Sequence, residues 1–285
     1  MLKYFKTTKL NLIGQEQIDK ACVALLARGA SSEESTKVRE IITPVRSILI
    51  HAAKRGWCDV PKFDVPEIKK PDTIYLRPDE ATRLVKAAAD HLKPLIVVLV
   101  CTGARMSEAL EATWSDVDLF GGRIALRQKQ GDIRRAELPP YAIAVLRALP
   151  DRSGPVFRAP GRRYRGKTMP PSYHNNGRKG GGQIKRAWAT ACRRADLPGH
   201  WHEWIDKHGR AKREWRPNVT PHDLRHTWAT WHYCLHTDLL RLRDDGGWSD
   251  LDMVTRYAKL MPKAYGPQIR EWWGYAESDG VRNAS

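Results

Sequence analysis

The chain of 285 residues is short of the features that mark secreted, membrane-bound or disulfide-stapled proteins. Its five cysteines (Cys22, Cys58, Cys101, Cys192, Cys234) are odd in number, scattered, and form no Cys-x-x-Cys pair. They suit a reducing cytoplasm better than a disulfide framework. The apolar run Leu95–Val100 is far too short to cross a bilayer, so no membrane partner is expected. The start, Met1 to Lys6, has no apolar core with a cleavage site behind it, and no signal peptide is read. No internal repeat stands out. No carboxylate cluster of the two-metal kind and no Walker-type nucleotide loop are read. His200, His202 and His208 lack a cysteine or carboxylate at ligand spacing. No metal and no cofactor are expected. Acidic residues are the minority, 32 against 49 basic, for a net charge of +17.

That excess is spread along the chain. Residues 1–70 hold 13 basic and 8 acidic residues, and the remainder 36 and 24, so the two parts carry +5 and +12. A polyanion partner follows, nucleic acid first. Hydrophobic residues make up 41%, enough for a packed core, and the length allows two domains. Asp59 to Pro71 carries Pro61, Pro66 and Pro71 among charges and reads as an extended linker. The division is placed there: a small helical domain over 1–70 and a larger one over 71–285.

Helices are expected over 15–28 and 33–56, with Pro44 as a kink point in the second. Beyond the linker, apolar spacing predicts helices over 78–89, 94–100, 104–112, 142–149 and 183–195. Residues 123–128 and 133–138 read as a β-hairpin turning at Gln130-Gly131-Asp132. Residues 198–217, with Trp201, Trp204 and Trp215, read as a hairpin insertion. The fold class is mainly α with a small β-sheet, α+β. Residues 158–182 place Arg162, Arg163, Arg165, Lys167, Arg178 and Lys179 among Gly, Pro and Asn. This is expected to be a flexible basic loop, either touching DNA backbone or simply solvated.

One stretch invites chemistry, Pro221-His222-Asp223-Leu224-Arg225-His226-Thr227. Thr220 can cap a helix that starts at Pro221, with Asp223 in its first turn. His222 and Arg225, three apart, share a face at a helix N-terminus, where anions are favoured. A guanidinium fork and an imidazole there suit a phosphate undergoing reaction. Candidate partners occur in order along the chain. Arg105 follows the Thr102-Gly103 break, with Glu108 one turn on to brace it. Lys129 sits on the hairpin turn, Trp248 stands before a helix capped by Ser249, and Tyr257 lies nine residues later.

The ordered set Arg105, Lys129, His222-x-x-Arg225, Trp248, Tyr257 resembles the tyrosine recombinases, or phage integrase family, over about residues 75–265. Thr102–Glu108 looks like the family's first box, Thr220–Thr227 its second, and Gly247–Ala258 the box that ends in the nucleophile. The resemblance implies that Tyr257 attacks the scissile phosphate to form a 3′-phosphotyrosyl bond. Arg105 and Arg225 would clamp the non-bridging oxygens. Lys129 would protonate the leaving 5′-oxygen, and His222 would assist proton transfer at the tyrosine. Trp248 stands where most members have histidine, its N–H a donor for phosphate. The implied function is site-specific recombination of DNA by an integrase of a phage, prophage or integrative element, without metal or ATP. The implied partners are double-stranded DNA and three further copies in a homo-tetramer on DNA, with room for an accessory DNA-bending protein. The implied location is the bacterial cytoplasm at the nucleoid. Trp272 and Trp273 would either dock the tail on a neighbouring copy or pack on their own domain. The N-terminal part shows two clear helices where the family has about four, so either it is shortened or its DNA grip is reduced. The alternatives are a non-catalytic DNA-binding protein derived from an integrase, or a type IB topoisomerase or telomere resolvase.

Overall fold

The computed structural model describes residues 4–68, 72–128, 131–160, 162–164, 167–169, 173, 184–206, 208–258 and 260–276, with 162–164 and 167–169 known by backbone alone. The chain divides into two compact units, Met1–Asp72 and Thr73–Ser285.

In the first unit, α1 (Gln15–Leu25) turns Ile18, Ala21 and Cys22 inward at helical spacing. Then α2 (Glu34–Lys37) passes through a π-helical turn at Val38–Ile42 into α3 (Thr43–Ala53). Pro44 has no N–H to complete a helical bond. The widened turn ahead of it absorbs that loss, so the expected kink is a π turn inside one continuous helical run. Ile41, Ile42, Val45 and Leu49 close on Ile18 and Cys22 as one small core. From Asp59 to Ile68 the chain has no regular structure. Its Asp64 N–H donates to the Gln15 side chain at 3.0 Å.

The second unit is built around α5 (Lys93–Thr102), in which every residue from Pro94 to Thr102 is buried. A helix apolar on all sides is stable only when surrounded. It is enclosed by α4 (Pro78–Ala87), α6 (Met106–Glu111), α7 (Pro140–Arg147) and α9 (Asp223–His236). Beside them lies an antiparallel sheet in the order β1 (Val117–Asp118), β2 (Arg123–Arg127), β3 (Ile133–Glu137). Alternation turns Ile124, Leu126 and Ala136 inward, and with them Arg134, which pairs with Leu126.

A short hairpin, β4 (Arg162–Tyr164) and β5 (Lys167–Met169), follows in antiparallel register. The region expected to be only a flexible loop thus contains two paired strands, carried by strand-favouring Tyr164 and Thr168 among the basic residues. After α8 (Ile184–Arg194), β6 (Gly199–Ile205) and β7 (Ala211–Pro217) form the expected hairpin.

The chain closes with α10 (Leu239–Gly246), α11 (Asp252–Thr255) and α12 (Gly266–Trp273). The Ser249 cap is not used: Asp250 Oδ1 accepts from the Asp252 N–H at 2.9 Å. Trp272 and Trp273 pack on Trp231 of their own unit, with ring centroids 5.2 and 6.2 Å away. Trp231 is fully buried, and its indole N–H donates to Leu76 O at 2.8 Å. Among the described residues no helix is long and apolar enough to cross a membrane.

Candidate active site

The end of α5 sets the first arginine. Gly103 has φ +61°, and a Cβ built on it would lie 2.3 Å from Cε3 of Trp228, so only glycine closes this helix here. The chain reverses and Arg105 becomes the N-cap of α6. Its N–H donates to Glu108 Oε2 at 2.9 Å, and its Nη1 to Glu108 Oε1 at 2.5 Å. The brace expected of Glu108 is present, and Glu108 is only 3% exposed.

The second arginine enters from α9. Thr220 donates both its N–H and its hydroxyl to Asp223 Oδ2, each at 2.7 Å. That carboxylate closes a turn over 220–223, which is why the helix proper begins at Asp223, two residues later than the proline suggested. Arg225 then points inward, nearly fully buried. Its Nη1 donates to Gly103 O at 2.6 Å and its Nη2 to Gly246 O at 2.8 Å. These use two of its five N–H donors and leave the rest for a ligand. Its guanidinium carbon lies 4.0 Å from the centroid of the Trp248 ring. Trp248 therefore engages Arg225 through its face, a cation–π contact, where the sequence suggested a donor role for its N–H. A Cβ on Gly246 would fall 1.8 Å from Cζ3 of Trp248, so glycine lets the indole lie flat.

Arg134 is a third arginine that sequence reasoning missed. It donates to Thr102 O at 3.1 Å and Asp245 O at 2.6 Å, and lies 4.0 Å from Glu108. Burial pushes its guanidinium down to about 10. Burial also pushes Arg225 down, to about 9, helped by the Arg134 and Arg105 charges. Both stay charged at neutral pH. Three guanidiniums facing one buried carboxylate leave an excess of positive charge, which an anion would relieve. The sequence signal for Arg134 was its inward position in a strand whose other inward residue is Ala136.

Tyr257 is buried, 2% exposed, and its ring lies tilted against Trp248 with centroids 5.7 Å apart. Its hydroxyl lies 2.7 Å from Nδ1 of His226. The histidine on the phenol is thus His226, one residue past the Arg225 of the second box, and not His222. His222 is exposed, its ring edge-on to His226 with centroids 4.9 Å apart. Burial, with the charges of His222 and Arg256, pushes His226 down to about 4, so it is neutral at pH 7. Burial raises the Tyr257 phenol above its usual range, against the pull of Arg256 and Arg225. A neutral imidazole protonated at Nε2 accepts the phenolic proton at Nδ1. The arrangement can hold a phosphate, activate a phenol and keep both out of bulk water.

Lys129, Arg165, Arg178 and Lys179 lie outside the described residues, and Arg162, Arg163 and Lys167 are placed only as backbone in β4 and β5. Gly161 to Thr168 has the letters Gly-x-x-x-x-Gly-Lys-Thr, which the expectation of no nucleotide loop passed over. A phosphate loop needs those residues between a strand and a helix N-terminus. Here Lys167 and Thr168 pair in a strand with Tyr164 and Arg163. Among the described residues no group of three or more His, Cys, Asp and Glu is placed to hold a metal.

The profile of the phage integrase family matches residues 75–263. The integrase of Salmonella phage P22 is 26% identical over 223 residues, covering 75% of this chain and 51% of that protein. The chain thus spans about half the length of that relative. In fold, it is similar to the Tn1549 transposon integrase solved with circular intermediate DNA (TM-score 0.58, 16% identity, 90% of this chain and 85% of that one). It is similar too to the XerH site-specific recombinase bound to a palindromic difH substrate after cleavage (TM-score 0.58, 17% identity, 95% and 76%).

Proposed function

The chain belongs to the phage integrase family, and on that premise we propose that it is a site-specific DNA recombinase that breaks and rejoins duplex DNA through Tyr257. The observation that carries this reading is the 2.7 Å contact between the Tyr257 hydroxyl and His226 Nδ1, beside the arginine cluster. A phenol of ordinary pKa near 10 is a weak nucleophile at neutral pH. Here the phenolic oxygen attacks the scissile phosphorus as its proton passes to His226 Nδ1. The bond from phosphorus to tyrosine forms and the bond to the 5′-oxygen breaks. Arg105 and Arg225 neutralise the non-bridging oxygens of the transition state, and Arg134 adds to the field that holds them. Lys129 protonates the departing 5′-oxygen, and His222, edge-on to His226, assists at the tyrosine side. The 3′-phosphotyrosyl ester keeps the energy of the broken bond, so a second 5′-hydroxyl reverses the step on a new partner without ATP.

The substrate is the crossover site of a mobile element, and both units, each carrying basic excess, grip its phosphates. Met1–Asp72 is the small helical DNA-binding part and Thr73–Ser285 the catalytic part. Four copies assemble on two sites, with an accessory DNA-bending protein where the site requires one. The basic residues Arg162, Arg163, Arg165, Lys167, Arg178 and Lys179 add backbone contacts. The burial of Tyr257 favours one second reading, a DNA-binding relative that no longer cuts.

A suicide substrate, a crossover duplex nicked next to the cleavage point, separates them. The native chain should trap a covalent protein–DNA adduct, and Tyr257→Phe should bind the duplex without forming one. Binding with no adduct from the native chain would leave only the second reading.

A further inference from the structure

Away from the catalytic cluster, the β6–β7 hairpin and the α8 helix beside it form an aromatic surface rich in basic residues. Seven residue pairs run from Gly199 opposite Pro217 to Ile205 opposite Ala211. Alternation puts Trp201, Glu203, Arg213 and Trp215 on one face, and His200, His202, Trp204 and Lys212 on the other. A two-stranded ribbon in a globular domain normally buries one face. Here every residue of β6 except His202 is exposed, Trp201 and Trp204 at 45% and 40%.

Two guanidiniums lie over the Trp201 ring, Arg193 of α8 at 5.1 Å and Arg213 at 4.8 Å from its centroid. Among the described residues neither arginine has a carboxylate partner, and nor does exposed Arg186. Glu214 is already held by Arg216 at 2.7 Å, with Lys185 at 4.0 Å. Between the hairpin and α8 runs a groove of about 920 Å³, floored by Ile184, Trp188, Trp215 and Val219. Its rim carries Lys185, Arg186, Arg193, Arg213 and Arg216, and it ends at Met106, Thr220 and Pro221. Met106 and Pro221 are the chain neighbours of Arg105 and His222, so the groove reaches the catalytic helix ends.

We propose that this face binds the phosphate backbone of duplex DNA flanking the cleaved phosphate, with Arg186, Arg193 and Arg213 making the contacts and Trp201 holding two of them in place. The inference rests on the DNA reading above. Cations without carboxylate partners, spaced along a ribbon instead of gathered at a point, match a polymer of phosphates. The indole in contact with both guanidiniums limits their freedom before DNA arrives, so less order is lost on binding. A mixed-sequence duplex serves as probe, because phosphate contacts do not depend on sequence.

The test uses the full chain and a fluorescein-labelled mixed-sequence duplex, with anisotropy titrations from about 50 to 200 mM salt. The double variant Arg193→Gln/Arg213→Gln should lower the slope of log K against log salt by about 2. Trp201→Ala should raise Kd at each salt concentration while keeping most of the slope. Lys86→Gln, on α4 of the same unit, is the charge control. A double-variant slope no different from that control overturns the proposal. Adduct trapping on the nicked crossover duplex keeps the two readings apart. Adduct formation with an unchanged slope removes this surface and keeps the recombinase. A lost slope with no adduct from the native chain keeps this surface and removes the recombinase. An unchanged slope with weakened self-association of the variant by sedimentation identifies a contact between copies, and overturns the DNA assignment.

Discussion

His226 makes the sharpest demand on the structure, because its proton is set by where it sits. Its folded pKa is about 4, against an ordinary histidine value near 6.5 in the unfolded chain. The cause is burial, joined by His222, Arg256 and Arg225, with Asp223 pulling the other way. Below pH about 6.5 the unfolded chain takes up a proton that the folded chain refuses, so acid favours unfolding until the folded pKa is reached. A depression of that size corresponds to about 2–3 kcal/mol, discounted for the partial exposure of the ring. His226→Gln removes the titration while an amide oxygen can still accept from the Tyr257 hydroxyl. The other depressed histidines, His91, His222 and His236, remain in both proteins, and their titration is common to the two curves. Urea unfolding read by tryptophan fluorescence is the suitable assay, since ten of the eleven tryptophans lie in Thr73–Ser285. The stability of native relative to His226→Gln should fall by about 2–3 kcal/mol between pH 7 and pH 4. Curves that stay parallel across that range would refute the placement of a neutral, buried imidazole on the phenol.

Three further outcomes are expected. Glu108→Gln removes the charge of the buried carboxylate that faces three guanidiniums and should destabilise by about 3–5 kcal/mol in urea; a loss below about 1 kcal/mol would mean the arginines do not depend on it. Gly103→Ala forces a Cβ to within 2.3 Å of Trp228 at a left-handed φ, and should cost at least about 2 kcal/mol, read as a lowered Tm. An unchanged Tm would contradict that packing. Trp248→Phe keeps a ring face under Arg225 and should retain most adduct formation on the nicked substrate, whereas Trp248→Ala should lose about 100-fold or more, the scale of one misplaced transition-state donor. Equal losses in the two variants would assign the indole N–H, not the ring, to the work.

Much of this architecture is written in local pattern. The Leu95–Val100 run, the prolines at 61, 66 and 71 and the alternation over 123–138 each dictate an element by themselves, and α5, the irregular segment and the β2–β3 hairpin stand where they were expected. The Gly103 break and the Arg105–Glu108 brace were legible for the same reason, since both act within one turn of chain. What sequence did not reveal depends on contacts between distant segments. Arg134 is buried because Thr102 O and Asp245 O happen to meet it. His226 reaches Tyr257 across 31 residues of chain. Trp248 turns its face to Arg225 because Gly246 leaves room beneath it. The sequence left the tail tryptophans between docking on a neighbouring copy and packing on their own domain, and buried Trp231 is the distant partner that they pack on.

The central claim is that Tyr257 is the residue that becomes joined to DNA. The adduct trapped on the nicked crossover duplex can be digested with protease and nuclease and its nucleotide-bearing peptide sequenced by mass spectrometry. The account predicts a phosphodiester to the oxygen of Tyr257, in the peptide that follows Arg256, and no modified peptide from Tyr257→Phe. A nucleotide found instead on Tyr265 or Tyr275, or an adduct that persists in Tyr257→Phe, would contradict it.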